Sequence, residues 1–166
     1  MHEHSIDLLN KAVADELHAV HQYMYFHFHC DDQGLELLSS LFRRTAIEEM
    51  LHVEKLAERI LFLKGEVNMV AGEGVDMLHD VQAMLEKATA MEEHSAHQYN
   101  VWANECAANA DSVTKQLFES LVVDEERHYD NYDTESGNLK NFGPQYLALQ
   151  SIERSKLRSM PGATQA

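Results

Sequence analysis

Ile47-Glu48-Glu49-Met50-Leu51-His52 places a carboxylate and an imidazole three residues apart within a long run of helical periodicity. Three residues turn through about 300° in an α-helix, so Glu49 and His52 leave the same face about one turn apart. The spacing recurs in Asp124-Glu125-Glu126-Arg127-His128, as Glu125 and His128. One Glu-x-x-His is a weak signal, because both residue types are common on solvated helix faces. The repeat around it carries the weight. Glu16 lies 33 residues before Glu49 and Glu92 lies 33 before Glu125, and positions 16 to 92, 49 to 125 and 52 to 128 share one offset of 76. A Glu on one helix followed by Glu-x-x-His on the next, written twice, is the ligand pattern of a dinuclear carboxylate site inside a four-helix bundle.

A chain of 166 residues with 7 Gly and 2 Pro has room for few turns, so long elements in a single domain are expected. The domain is expected over 1–157, with 158–166 as a flexible C-terminal tail. A net charge of −15 argues against nucleic acid and anionic membrane as partners, since both would repel it. It suits the attraction of cations, although solubility alone also accounts for it. The start Met1-His2-Glu3-His4 is not a basic region leading into an apolar run, and no 18-residue apolar stretch occurs. A soluble, cytoplasmic chain is expected.

Cys30 and Cys106 do not form a CxxC and are again 76 apart. Each lies 14 residues past its central Glu, about 21 Å along a helix, which predicts thiols near opposite ends of the bundle, beyond disulfide reach.

The first helix is expected from Ser5, as N-cap, to the Asp31-Asp32-Gln33-Gly34 break, with an apolar stripe of Ile6, Leu9, Val13, Leu17, Val20 and Met24. Glu16 and Tyr23 fall beside that stripe on the core side, where a carboxylate is costly unless paired or ligating. The second is expected over about 35–64, ending at Gly65 as its C′ residue. From Gly65 to His79 the helical pattern lapses. A helix of that length spans roughly 45 Å, and about 14 extended residues cover a similar distance. The connection can therefore climb the bundle and start the third helix parallel to the second. The third is expected over about 80–110. The fourth is capped by Asp111 and Ser112 and runs to a break at Gly137. A short fifth helix follows over about 142–151 or a little beyond. The fold class is all-α.

The predicted metal ligands are Glu16, Glu49, His52, Glu92, Glu125 and His128. Four carboxylates and two imidazoles favour iron or manganese over a thiolate metal, and hard oxygen donors stabilise Fe(III). Glu93 competes with Glu92 but breaks the 33-residue spacing. Glu48 and Asp124 each precede a ligand Glu. They can orient a ligand His, carry iron onward on the inner surface, or be solvated acids. Tyr23, two turns past Glu16, can hydrogen-bond a ligand or supply an electron, or be an ordinary buried tyrosine. His18, His21, His27 and His29 suggest a second metal site, but their spacings scatter them around the helix, and most read as surface or interface residues.

With these residues in place, the chain resembles the bacterioferritins, the haem-containing ferritin family, over nearly its whole length. The resemblance rests on Glu16-Leu17-His18-Ala19-Val20-His21-Gln22-Tyr23, on Ile47 to His52 continuing to Glu58-Arg59-Ile60-Leu61, and on Glu92. It extends through Asp124-Glu125-Glu126-Arg127-His128 and Asn141-Phe142-Gly143-Pro144-Gln145-Tyr146-Leu147. It implies a ferritin-like four-helix bundle with a long crossover and a short fifth helix. It further implies a ferroxidase: Fe(II) oxidised by O2 or H2O2 at a di-iron site within each subunit, and the mineral stored in a hollow shell of 24 subunits. The shell would be a homo-oligomer built from dimers that share haem b or a related iron porphyrin, with a ferredoxin as candidate partner in iron release. Spacing alone leaves Met50 a packing residue. The resemblance implies that Met50, directly after Glu49, is the axial haem ligand; rotated about 100° from Glu49, it would face outward toward a partner subunit. Arg44 stands where some members have a His serving an inner-surface iron site. Asn131 replaces the family's usual Trp near the fourth-helix His.

Three rival readings are weaker. A rubrerythrin-like di-iron peroxidase normally has an extra ligand Glu and a module with paired CxxC motifs, absent here. A Dps-like mini-ferritin builds its site between subunits and does not need the duplicated motif. A haem electron-transfer protein with a vestigial di-iron site does not need a complete ligand set.

Overall fold

The computed structural model describes residues 2–162, and five helices account for most of them. They are α1 (Glu3–Asp32), α2 (Glu36–Phe62), α3 (Val81–Ala108), α4 (Ser112–Phe142) and α5 (Pro144–Ser159). Long helices α1 and α2 pack against each other, as do α3 and α4, and α5 closes one end against α2 and α4. The architecture is the all-α bundle expected from the periodicity. None of the described helices is long and apolar enough to cross a membrane.

The segment 63–80 is the long crossover. Its course is fixed by α1, residue by residue. Asn68 N–H donates to Asn10 Oδ1 at 2.8 Å, Gly72 N–H to the Ala14 carbonyl at 3.0 Å, and Asp76 N–H to Gln22 Oε1 at 2.8 Å. Farther on, Gln33 Nε2 reaches the His79 carbonyl at 3.3 Å. The segment therefore climbs alongside α1 from one end to the other. At its foot, Gly65 is required by close approach, since a Cβ there would lie 2.7 Å from Ile6 Cγ2. The left-handed residue that ends α2 is Lys64 (φ 67°), not Gly65 as expected.

Several element ends differ from expectation. Ser5 is not the N-cap of α1: the helix already includes Glu3, and Ser5 is buried with Oγ 3.8 Å from Cys106 Sγ. Gly137 does not break α4, because one glycine costs a helix only about 1 kcal/mol. The helix stops at Gly143, whose φ of 55° favours glycine. Asp111 caps α4 as expected, accepting from Thr114 N–H at 3.1 Å, and Asp80 caps α3 through Ala83 N–H at 2.9 Å. Helix α5 runs to Ser159, beyond both the expected stop and the start of the expected tail at 158; residues 163–166 lie outside the described residues. It is anchored by Arg154, which pairs with Asp31 Oδ1 at 3.2 Å, and by Gln150 Oε1, which accepts from Leu38 N–H at 3.2 Å.

The buried face of α1 is also rotated from the expected stripe. Leu8, Leu9, Ala12, Val13, Glu16, Ala19, Tyr23, Phe26 and Cys30 are buried, while Leu17, Val20 and Met24 lie on its flank. Buried polar residues, Glu16 and Gln22 among them, occupy the inner face, so hydrophobicity alone points to one side of it. The apolar core is accordingly split in two. One cluster gathers Tyr23, Phe26, Phe42, Met84 and Tyr132; the other gathers Leu9, Val13, Leu56, Tyr99 and Phe118. Cys30 lies in the first and Cys106 in the second, both buried and free. Burial alone pushes the Cys30 thiol up to about 12, as expected of a small packing residue.

Candidate metal centre

Between the two apolar clusters lies a polar layer. Glu16 on α1, Glu49 and His52 on α2, Glu92 on α3, and Glu125 and His128 on α4 are all at most 2% exposed. Their donor atoms fall into two sets, Glu16–Glu49–His52–Glu125 and Glu49–Glu92–Glu125–His128. Glu49 and Glu125 belong to both. The geometry is therefore two adjacent cation sites, each ended by one Glu and one His and joined by two shared carboxylates. The offset of 76 carries one set onto the other. Glu93, the rival to Glu92, is exposed.

The atoms facing the centre lack hydrogen-bond partners. They are both oxygens of Glu49, Glu92 Oε2, Glu125 Oε1, and Nδ1 of His52 and His128. His52 Nδ1 lies 2.9 Å from Glu49 Oε2, 3.2 Å from Glu125 Oε1 and 3.3 Å from Glu16 Oε1. Buried acceptors crowded this closely, without hydrogen-bonding geometry, are costly unless a cation or protons sit among them. The donor set fits two hard or borderline cations such as iron.

The opposite side of each imidazole is tied down. His52 Nε2 is 3.1 Å from Asp124 Oδ2, and His128 Nε2 is 2.8 Å from Glu48 Oε2. An Nε2–H donated to each carboxylate leaves the Nδ1 lone pair facing the centre, the tautomer a metal needs. This is the orienting alternative for Glu48 and Asp124. Arg127 joins the two, with Nη2 2.6 Å from Glu48 Oε2 and 3.0 Å from Asp124 Oδ1. Burial tends to raise both acids, but Arg127 and the histidines outweigh it, and both are held below the usual carboxylate range. The offset did not signal Arg127, because the equivalent position holds Leu51.

Two tyrosines complete the layer. The Tyr23 hydroxyl donates to Glu92 Oε1 at 2.5 Å, and the Tyr99 hydroxyl donates to Glu16 Oε1 at 2.5 Å. Burial, then the neighbouring Glu92 or Glu16 charge, pushes both phenols well above their ordinary range, so they remain donors. Tyr99 lies 76 residues after Tyr23, although its helical spacing equally suits an ordinary apolar core position. The match covers Glu16-x-His18-x-x-His21-Gln22-Tyr23 and Glu92-x-His94-x-x-His97-Gln98-Tyr99.

In the metal-free chain, burial and crowding favour protons on four of these side chains. Burial and the charges of Glu16 and Glu92 push Glu49 up to about 8, and burial with the Glu49 charge raises Glu125 well above the usual carboxylate range. Burial disfavours the His128 cation, but Glu49 and Glu92 overcome this and lift it to about 11; His52 is raised likewise by Glu125, Glu16 and Glu49.

Of the other predicted residues, Met50 is 52% exposed, on the outer face of α2 with exposed Ile47 and Leu51. Of the four α1 histidines, most of which are expected at a surface or interface, His18 is buried at 8% exposure because α1 is rotated toward the crossover. His21 is exposed, and His27 and His29 are half-buried.

A four-helix bundle with one long crossover, carrying two fused Glu/His cation sites at its centre, defines the ferritin-like class. A family model described as ferritin-like domain matches residues 6–142. A bacterioferritin of Desulfovibrio desulfuricans is 37% identical over 149 residues, spanning 86% of this chain and 80% of its own. Another, from Rhodobacter capsulatus, is 37% identical over 145 residues, spanning 87% of this chain and 89% of its own. The X-ray structure of the Desulfovibrio desulfuricans bacterioferritin, which describes its diiron site in different catalytic states, superposes with a TM-score of 0.89 at 33% identity, covering 98% of this chain and 92% of that one. The chain belongs to the bacterioferritin family.

Proposed function

We propose that the chain is a cytoplasmic ferroxidase and iron-storage subunit. Its substrate is Fe(II), held by Glu16, Glu49, His52, Glu92, Glu125 and His128. The observation that carries this reading is the pair of donor sets sharing Glu49 and Glu125. Each of two bound Fe(II) ions gives up one electron; together they reduce O2, with two protons, to H2O2, or H2O2 to water. The shared carboxylates balance the charge gained as Fe(II) becomes Fe(III). Tyr23 and Tyr99 hold the terminal carboxylates in place, and Tyr23 is the candidate auxiliary electron donor. The product leaves as mineral in the cavity of a 24-subunit shell.

Met50 is proposed as an axial ligand to haem b or a related porphyrin, held between two copies. Its exposed thioether, set among exposed Ile47 and Leu51, suits an apolar ring shared at a twofold interface. The haem would supply one-electron transfer for reductive release of iron, with a ferredoxin as the electron source.

The test is native mass, iron content and visible spectrum measured on one sample. The expected result is a shell near 24 chains, with a haem Soret band at about one haem per two chains that Met50→Leu removes without slowing Fe(II) oxidation. A dimer or dodecamer with two irons per chain and no haem would point to a peroxide-consuming di-iron enzyme. Glu92→Ala with undiminished Fe(II) oxidation would sink the assignment of the site.

A further inference from the structure

One cavity runs from the surface to the polar layer, between α1, α3 and the crossover. Tyr23, Glu49, Glu92 and Glu125 form its floor; Asp15, His18, Glu73 and His94 stand nearer its mouth. The mouth residues come from three elements: Asp15 and His18 one turn apart on α1, His94 on α3, and Glu73 on the crossover. His18 and His94 are another pair related by the offset of 76, so the internal repeat sets an imidazole on each side of the opening.

His18 is the decisive member. It is only 8% exposed, it lines this cavity, and its buried Nδ1 has no hydrogen-bond partner. Its Nε2 is 3.9 Å from Glu73 Oε2, beyond hydrogen-bond length. A buried imidazole nitrogen left without a partner is costly, and a cation in the cavity would satisfy it. Lys87 also lines the cavity, but its ammonium is drawn to Asp76 Oδ2 at 3.0 Å.

We propose that His18, His94, Asp15 and Glu73 form a divalent-cation staging site at the mouth of this cavity, separate from the dinuclear centre, which receives Fe(II) from solvent and passes it inward. Two imidazoles and two carboxylates are a donor set for Fe(II) or Zn(II). They are not gathered into a tight shell, and Glu73 and His94 are exposed. Loose, solvated ligands bind weakly and release readily, as a supply site requires. The cation's destination rests on the proposed ferroxidase function; its binding at the mouth does not.

The test soaks crystals of the metal-free assembled protein with Zn(II), locates the ions by anomalous scattering, and counts Zn(II) per chain in solution. His94→Ala/Glu73→Gln changes only exposed side chains, so it should fold as the parent does. The expected result is zinc at the mouth as well as in the dinuclear centre, with the mouth ion alone lost in the double variant. At limiting Fe(II) the variant should oxidise iron about tenfold more slowly, the low end of what charge focusing contributes to association, with an unchanged rate at saturation. Zinc in the dinuclear centre with none at the mouth overturns the staging site and leaves the ferroxidase reading standing. Zinc at the mouth with an empty centre does the reverse. Oxidation that matches the parent at every Fe(II) concentration overturns the supply role.

Discussion

The Tyr99 hydroxyl donates to Glu16 at 2.5 Å, across the polar layer from where the Tyr23 hydroxyl donates to Glu92 at the same length. Tyr23 takes Glu92 Oε1 and leaves Oε2 facing His128 Nδ1, whereas Tyr99 takes Glu16 Oε1, the oxygen that also lies 3.3 Å from His52 Nδ1. Replacing either by Phe keeps the ring packing and frees the oxygen to turn. Tyr23→Phe and Tyr99→Phe are therefore each expected to weaken divalent-metal binding by about 10- to 100-fold, the usual cost of losing a group that orients a ligand. Co(II) titration followed by absorbance measures it. Equal affinities in parent and variants would remove the orienting role. If Tyr23 also supplies an electron, only its variant should lose a tyrosyl radical signal during Fe(II) oxidation.

Arg127 breaks the internal symmetry. It is half-exposed, so its ion pairs with Glu48 and Asp124 should contribute about 1 kcal/mol or less to folding. Their effect lies in the site, because the same two carboxylates fix the Nε2 atoms of His128 and His52. Arg127→Leu, which makes the position match Leu51, should leave the thermal midpoint nearly unchanged while lowering metal affinity several-fold. Arg127→Lys should restore only part, since an ammonium cannot reproduce the guanidinium fork. A large fall in thermal stability with unchanged metal affinity would overturn this assignment.

The buried Glu/His layer was legible in the sequence because its members share one offset: Glu16, Glu49 and His52 recur as Glu92, Glu125 and His128. Tyr99 obeyed the same offset and was still missed, because an aromatic at helical spacing also satisfies a core. Arg127 was out of reach, since its role depends on two carboxylates 79 and 3 residues away in sequence meeting across the bundle. The element ends at Ser5 and Gly137 failed for a shared reason. Both residue types cap or break helices in isolation, whereas here burial against Cys106 and the continuing ladder of α4 override local preference. His18 misled because the helix was phased on its apolar residues rather than on its ligands.

Asp111 gives a pH test away from the metal ligands. It accepts from Thr114 N–H at 3.1 Å, from the Thr114 hydroxyl at 2.6 Å and from Arg59 at 2.8 Å. Burial opposes its charge, but these partners outweigh that and hold the carboxyl at about 2, against an ordinary 3.8. A depressed acid contributes stability that is present above pH 3.8 and lost as pH falls through about 2. Asp111→Ala should therefore cost about 2 kcal/mol at pH 7, with the deficit closing between pH 4 and 2. Urea unfolding of metal-free parent and variant across that range measures it, and a deficit independent of pH would rule out the charged cap.

Loading the centre should release protons. At pH 7 the metal-free chain keeps a proton on Glu49, whose value is about 8, and burial with the Glu49 charge favours one on Glu125, which is raised well above the usual carboxylate range. His128, at about 11, and His52 are also protonated there. Cations need the same carboxylate oxygens and the Nδ1 lone pairs, so they compete with those protons. Affinity for Zn(II) should rise with pH from 6 to 8, and the protons released per chain should fall as Glu49 ionises near 8. Binding confined to the folded chain adds about 2.7 kcal/mol of stability at a free metal concentration of 100 times Kd, so chelation should lower the unfolding midpoint without unfolding the protein. The apolar clusters on either side of the layer keep the metal-free bundle folded. Proton release in weakly buffered solution and thermal scans with and without chelator measure both effects. Zinc that binds equally at pH 6 and 8, with no proton released, would show that the six side chains do not hold it.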